Sequence, residues 1–235
     1  MYKKPMYIIA LILTFLFITI NSNVMASSGS SSEKPVVVFE SNEITDLNDL
    51  INNAKQGKTD KEDLPETSTV VINNKPQEIS VLKTTQLLKI TKDANGLKKD
   101  YVTNAFVIIP LWADDQYWEA YGSGVTAYST IHYSVTVSEG LEYYDMDSTS
   151  GGWITDSWIT LSNRHIILSN NGFILGGGLC TSTKHYYPAN NTFSYSYPST
   201  WPQVTPYDDF FPGMASHVDV TIAGNTEHLA LLNHL

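Results

Sequence analysis

The segment YYDMDSTSGG, residues 143–152, sets Asp145 and Asp147 two apart, follows them with hydroxyls and closes on paired glycines. Calcium takes six to eight hard oxygens. Loops that supply them alternate their ligands, because side chains at the first, third and fifth positions converge while the carbonyl of the seventh closes the ring. Counting from Asp145 puts Asp147 third, Thr149 fifth, Gly151 seventh and Asp156 twelfth. Two departures weaken the pattern: Ser150 stands where a sharp-turn glycine is expected, and Asp156 is shorter than the usual bidentate glutamate. With no flanking helices expected, this is not an EF-hand. An acidic hairpin turn accounts for the same residues, with the aspartates capping local N–H groups and Gly151 and Gly152 supplying positive φ. Both readings make the segment a loop.

A second cluster is LWADDQYWEAYGSG, residues 111–124. Trp112, Tyr117, Trp118 and Tyr121 alternate there with Asp114, Asp115 and Glu119. Exposed aromatic faces beside carboxylates can hold a sugar ring, the flat face stacking while the acids accept hydroxyls. The competing reading has Trp112 and Trp118 plugging the open end of a β domain, since large aromatics are mostly buried.

Catalytic signatures are absent from the sequence: it contains no H-E-x-x-H, no G-x-S-x-G and no phosphate-binding loop. His132, His165, His185, His217 and His228 are scattered, and only His217 and Asp219 share one face of a strand, a pair that could begin a zinc site or a base with its orienter. Carboxylates for glycoside hydrolysis could be drawn from Asp114, Asp115, Glu119, Asp145 or Asp208, but sequence gives no distance between them. Cys180, the single cysteine, sits in an apolar run and reads as an inert buried thiol.

The elements that must position these residues begin after a leader. Two lysines, an apolar run ending at Ile20 and a small polar exit form the plan of a secretory signal peptide, cut after Ala26, leaving a freely secreted product with no stable membrane anchor. The chain carries 24 acids against 14 basic residues, and residues 101–235 hold twelve acids against only Arg164 and Lys184. So acidic a surface repels phosphate backbones, which argues against a nucleic-acid partner. With one cysteine no intrachain disulfide can form, so the exported domain must rely on its core.

In residues 27–68, a polar exit precedes one short amphipathic helix built on Ile44, Leu47, Leu50, Ile51 and Ala54, with Ser41 or Asn42 as N-cap and Gly57 as the stop. Residues 58–68 read as an exposed linker. From residue 69 to 235 the period is two. The run VTAYSTIHYSVTV, residues 125–137, gives its odd positions to a core and its hydroxyl-rich even positions to water. Asn95-Gly96 predicts a hairpin with Asp93 opposite Lys98, and NNG, PANN, PSTWP and GNT read as interruptions between strands. About ten short strands at this spacing predict a mainly β chain, an antiparallel β-sandwich or barrel-like domain behind the short helix.

Two functions from different classes follow. The first is a secreted, extracellular, non-catalytic module that binds a carbohydrate or protein partner at or beyond the cell surface, with calcium assisting through Asp145 and Asp147. The second is a secreted hydrolase with an unrecognised carboxylate or histidine site.

Overall fold

The computed structural model describes residues 34–61, 67–72, 75–94, 96–110 and 124–235. The expected signal peptide lies outside these residues. None of the described helices is long and apolar enough to cross a membrane. Strand β1 (Val36–Glu40) leads into helix α1 (Leu47–Lys55), and β2 (Thr67–Ile72), β3 (Lys75–Ser80) and β4 (Leu82–Asp93) follow. The long strands β5 (Gly96–Pro110), β6 (Gly124–Ser138), β7 (Leu141–Thr155) and β8 (Thr160–Ile174) form the body. The chain then continues through β9 (Leu179–Tyr186), β10 (Thr192–Ser196), β11 (Val204–Thr205), β12 (Gly213–Ile222) and β13 (Asn225–His234).

Every pairing is antiparallel, and all thirteen strands belong to one hydrogen-bonded sheet. Its order is β1-β4-β5-β6-β7-β11-β8-β12-β13-β2-β3, with β10 on β7 and β9 on β8. The join between the two halves is slight: in two-residue β11, Val204 pairs with Tyr144 of β7 and with Ile174 of β8.

Alternation builds one core from both halves. The odd positions of β6 from Val125 to Val135, among them Ala127, Ile131 and Tyr133, are buried as the pattern demands, whereas Val137 at the end of the strand is exposed. They share a single apolar cluster with Ile166 and Leu168 of β8, Met214 and Val218 of β12, and Leu229 and Leu231 of β13. Asn233 of β13 donates to the Ser129 hydroxyl of β6 inside it. The even, hydroxyl-rich face is not wholly wet, because α1 lies over it: Leu50 and Ala54 pack on Phe106, with Tyr128 at the margin. Burying a Phe side chain contributes about 1.5–3 kcal/mol, and Leu47, Leu50, Ile51 and Ala54 of the helix add to it.

Several sequence expectations change. The helix starts at Leu47 and its N-cap is Asp46, whose carboxylate accepts from the N–H groups of Asn48 and Asp49. Ile44 lies ahead of it and donates its backbone N–H to Gln86. Lys58 to Lys61 do not hang free: the Asp60 N–H donates to Thr85, Asp60 accepts from the Leu87 N–H, and Lys61 pairs with Glu142 at 2.5 Å over the Tyr144 ring. Burial opposes the Lys61 ammonium, but Glu142 and Tyr144 outweigh it and raise its pKa.

The hairpin between β4 and β5 is two residues out of the expected register. Asp93 pairs with Gly96 and Lys92 with Leu97, which spares Lys92 the like-charged Lys99 that the expected register sets opposite it, and Lys89 gains Asp100. NNG interrupts nothing, since Asn170, Asn171 and Gly172 lie within β8. Gly172 is required there because a Cβ would stand 2.4 Å from the Thr205 carbonyl of β11.

Candidate functional site

The segment expected to form a loop is the middle of β7. Gly151 and Gly152 have no left-handed φ; their absent side chains make room for neighbours. A Cβ on Gly151 would stand 2.3 Å from the Tyr128 carbonyl and 2.7 Å from the Phe193 ring, and one on Gly152 would stand 2.4 Å from the Asn191 carbonyl. Both the calcium loop and the hairpin turn are therefore corrected: close packing of β6 and β10 on β7 explains the glycines, not a bend.

An extended strand spreads what a loop would gather. Thr149 is 1 % exposed and gives its hydroxyl to the Thr130 carbonyl, Gly151 is buried, and Asp156 follows the end of β7. Asp145 and Asp147 alone are brought together. The register of β6 against β7 slips between His132 and Tyr133, leaving Asp147 as an extra residue opposite no partner. Alternation alone sets Asp145 and Asp147 on one face, lining one cleft, with Met146 buried on the other; the bulge shifts the buried positions of β7 from Tyr144 and Met146 before it to Thr149, Gly151 and Trp153 after it.

That cleft encloses about 590 Å³ on the outer face of β5, β6 and β7. Its polar wall, Asp100, Ser134 and Asp145, belongs to a row across five strands in which Glu40 lies opposite Lys89, Lys89 opposite Asp100, Asp100 opposite Ser134 and Ser134 opposite Asp145. Lys98 stands 3.7 Å from Asp100, and the Gln203 amide donates to Asp145. On one side His132 meets Glu43, from the segment ahead of α1, at 3.0 Å. On the other the chain leaving β10 supplies Ser196 and Ser199, anchored where the Tyr197 N–H donates to the Asp147 carbonyl. Tyr101, Tyr133 and Tyr197 border the cleft from the core, in which they are buried; there Tyr101 stacks on Tyr133, and Tyr133 on Tyr144. Three carboxylates, an imidazole and several hydroxyls thus face one concave surface.

The aromatic candidates Trp112, Asp114, Asp115, Tyr117, Trp118, Glu119 and Tyr121 lie outside the described residues. Asp208 falls in the connection before β12, away from the cleft lining. Asp100 and Ser134 were missed because their signal is register: neither stands out until β5 and β6 are aligned. The scattered histidines were missed for the same reason, since His165, His185, His217 and His228 meet in a stripe across β9, β8, β12 and β13.

Comparison with protein-family models, with curated proteins and with solved structures finds no match.

Proposed function

We propose that the chain is a secreted, non-catalytic β-sandwich protein that binds a hydroxyl-rich ligand, a carbohydrate, in the cleft of β5, β6 and β7. The observation that carries this reading is the convergence of Asp100, Asp145, Asp147, His132 and the flanking serines on one concavity. Its size falls within the roughly 300–1,000 Å³ of small-molecule sites, and carboxylates accept sugar hydroxyls while serines and imidazole supply donors. The sandwich reading is supported by two half-sheets, tied by β11, that share one core. Export accords with the leader and with a core that needs no disulfide.

The test is calorimetry and a glycan screen on the mature protein, with and without calcium, since carboxylates are the hard oxygen donors that ion takes. We expect saturable oligosaccharide binding that Asp145→Ala with Asp147→Ala weakens at least tenfold, while the melting temperature moves little. Binding untouched by the double variant would remove the cleft from consideration. A hydrolase is the second reading, favoured by three carboxylates in one cleft, two of which would serve as acid and base. Release of new reducing ends from a bound oligosaccharide, abolished in Asp145→Asn or Asp147→Asn, would decide for it.

A further inference from the structure

The histidine stripe lies on the outer face of the other half-sheet and owes nothing to the cleft. His165 of β8 stands directly opposite His217 of β12. His185 and His228 each sit one diagonal step outward, on β9 and β13. Ring centroids follow one another at 5.1, 5.7 and 5.4 Å. Within the two pairs the nitrogens face each other: His165 Nε2 lies 2.9 Å from His185 Nδ1, and His217 Nδ1 lies 3.2 Å from His228 Nε2.

The second pair is held from behind. The register of β8 against β12 slips between His217 and Asp219, and Asn163 takes φ 49° at that slip, a conformation asparagine tolerates better than most residues. Its amide donates to Asp219 Oδ2 at 2.7 Å, and Asp219 Oδ1 lies 2.9 Å from His228 Nδ1. A carboxylate on Nδ1 fixes that nitrogen as the N–H and leaves Nε2 as a lone pair aimed toward His217, the arrangement that typically stands behind a metal-ligating histidine. No carboxylate backs the His165–His185 pair among the described residues.

We propose that His217 Nδ1 and His228 Nε2 together bind one divalent transition-metal ion of the zinc and copper class, with Asp219 and Asn163 as positioning residues. Two imidazole nitrogens about 2.0–2.1 Å from a tetrahedral ion stand about 3.3 Å apart, close to the separation found here. Neutral imidazole suits zinc, copper and nickel, not the hard cations. Binding requires His217 to carry its proton on Nε2, releasing the Nδ1 lone pair. The His228 side chain is 45 % exposed, so the pair is open to solvent, and an ion replaces the hydrogen bond between the two nitrogens. Among the described residues no set of three or more His, Cys, Asp or Glu is placed to hold a metal, so the remaining coordination positions go to water or to an incoming ligand. An ion held this way is an open site, able to take a donor group from a partner.

The experiment is a zinc titration of untagged, chelator-stripped protein, followed by calorimetry and by NMR of the histidine rings. One ion is expected to bind saturably, shifting the His217 and His228 resonances. His217→Ala and His228→Ala each weaken it at least tenfold, Asp219→Asn weakens it 10–100-fold, and His234→Gln binds as the parent does. Should His217→Ala lose its fold, His217→Phe keeps a stacking ring without the nitrogen. Absence of saturable heat at millimolar zinc, or parental affinity in both the His217 and His228 variants, overturns the proposal. Parental affinity in Asp219→Asn overturns the positioning role.

Discussion

A methyl group at Gly151 has nowhere to go, with the Tyr128 carbonyl on one side and the Phe193 ring on the other. Gly151→Ala is therefore expected to cost about 2–3 kcal/mol, the upper part of the usual range for overpacking, read as a lowered denaturant midpoint. Sequence shows a glycine pair but not its cause, because a turn glycine and a close-approach glycine are the same letter. His217 makes a second residue-scale prediction. Burial first, then the neighbouring His228 and His165 imidazoles, push its pKa down to about 4. Asp219, which burial pushes up but Asn163 and His228 together hold below the usual carboxylate range, faces His228 from the far side. The unfolded chain protonates this histidine near its ordinary value while the folded one does not, so its share of stability is intact above about pH 6.5 and is lost as pH falls toward 4. In metal-free protein the loss is about 1–2 kcal/mol after solvent screening, and His217→Gln should flatten the midpoint between pH 7.5 and 5. An equal slope in that variant would assign the effect elsewhere.

At the scale of elements, the helix was legible and its cap was not. Apolar spacing finds Leu47, Leu50, Ile51 and Ala54, but Ser41, Asn42 and Asp46 are all capable caps, and the choice falls to Asp46 because the chain before it is already bonded to β4 through Ser41 and Ile44. Asp46→Ala is expected to cost about 1 kcal/mol, measured by equilibrium denaturation, with hydrogen exchange accelerated in residues 47–55 alone. The strands were legible wherever apolar residues alternate, as in β6, β12 and β13. β7 was not, since DMDSTSGG carries no apolar period: its bulge at Asp147, its glycines and its buried Thr149 answer to β6 and β10 beside it. The cleft inherits that obscurity, because it consists of register: Asp100, Ser134 and Asp145 are neighbours only once three strands are aligned.

For the whole molecule, the decisive question is whether the half-sheets act as one. They share a core, yet their ladder is continuous only through β11, where Val204 is fully buried. Tyr197 adds a second tie, donating its hydroxyl to the Gly213 carbonyl at the start of β12 at 2.7 Å while its N–H holds Asp147 of β7. Burial drives the Tyr197 phenol far above its ordinary pKa, so it remains a donor at any pH the fold survives. Tyr197→Phe removes this bond and leaves the Ser169 hydroxyl as a donor to the Gly213 carbonyl, so it should cost about 0.5–1.5 kcal/mol. Val204→Ala removes two methyl groups from the join and should cost about 1–3 kcal/mol by the same route as other core truncations. Because the common core and not the thin ladder carries most of the buried apolar surface, both variants should still unfold in one transition, with lower midpoints and an unchanged dependence on denaturant. Two transitions in Val204→Ala would mean that β11 alone couples the halves, and the cleft on one and the histidine stripe on the other would then belong to separately folding units.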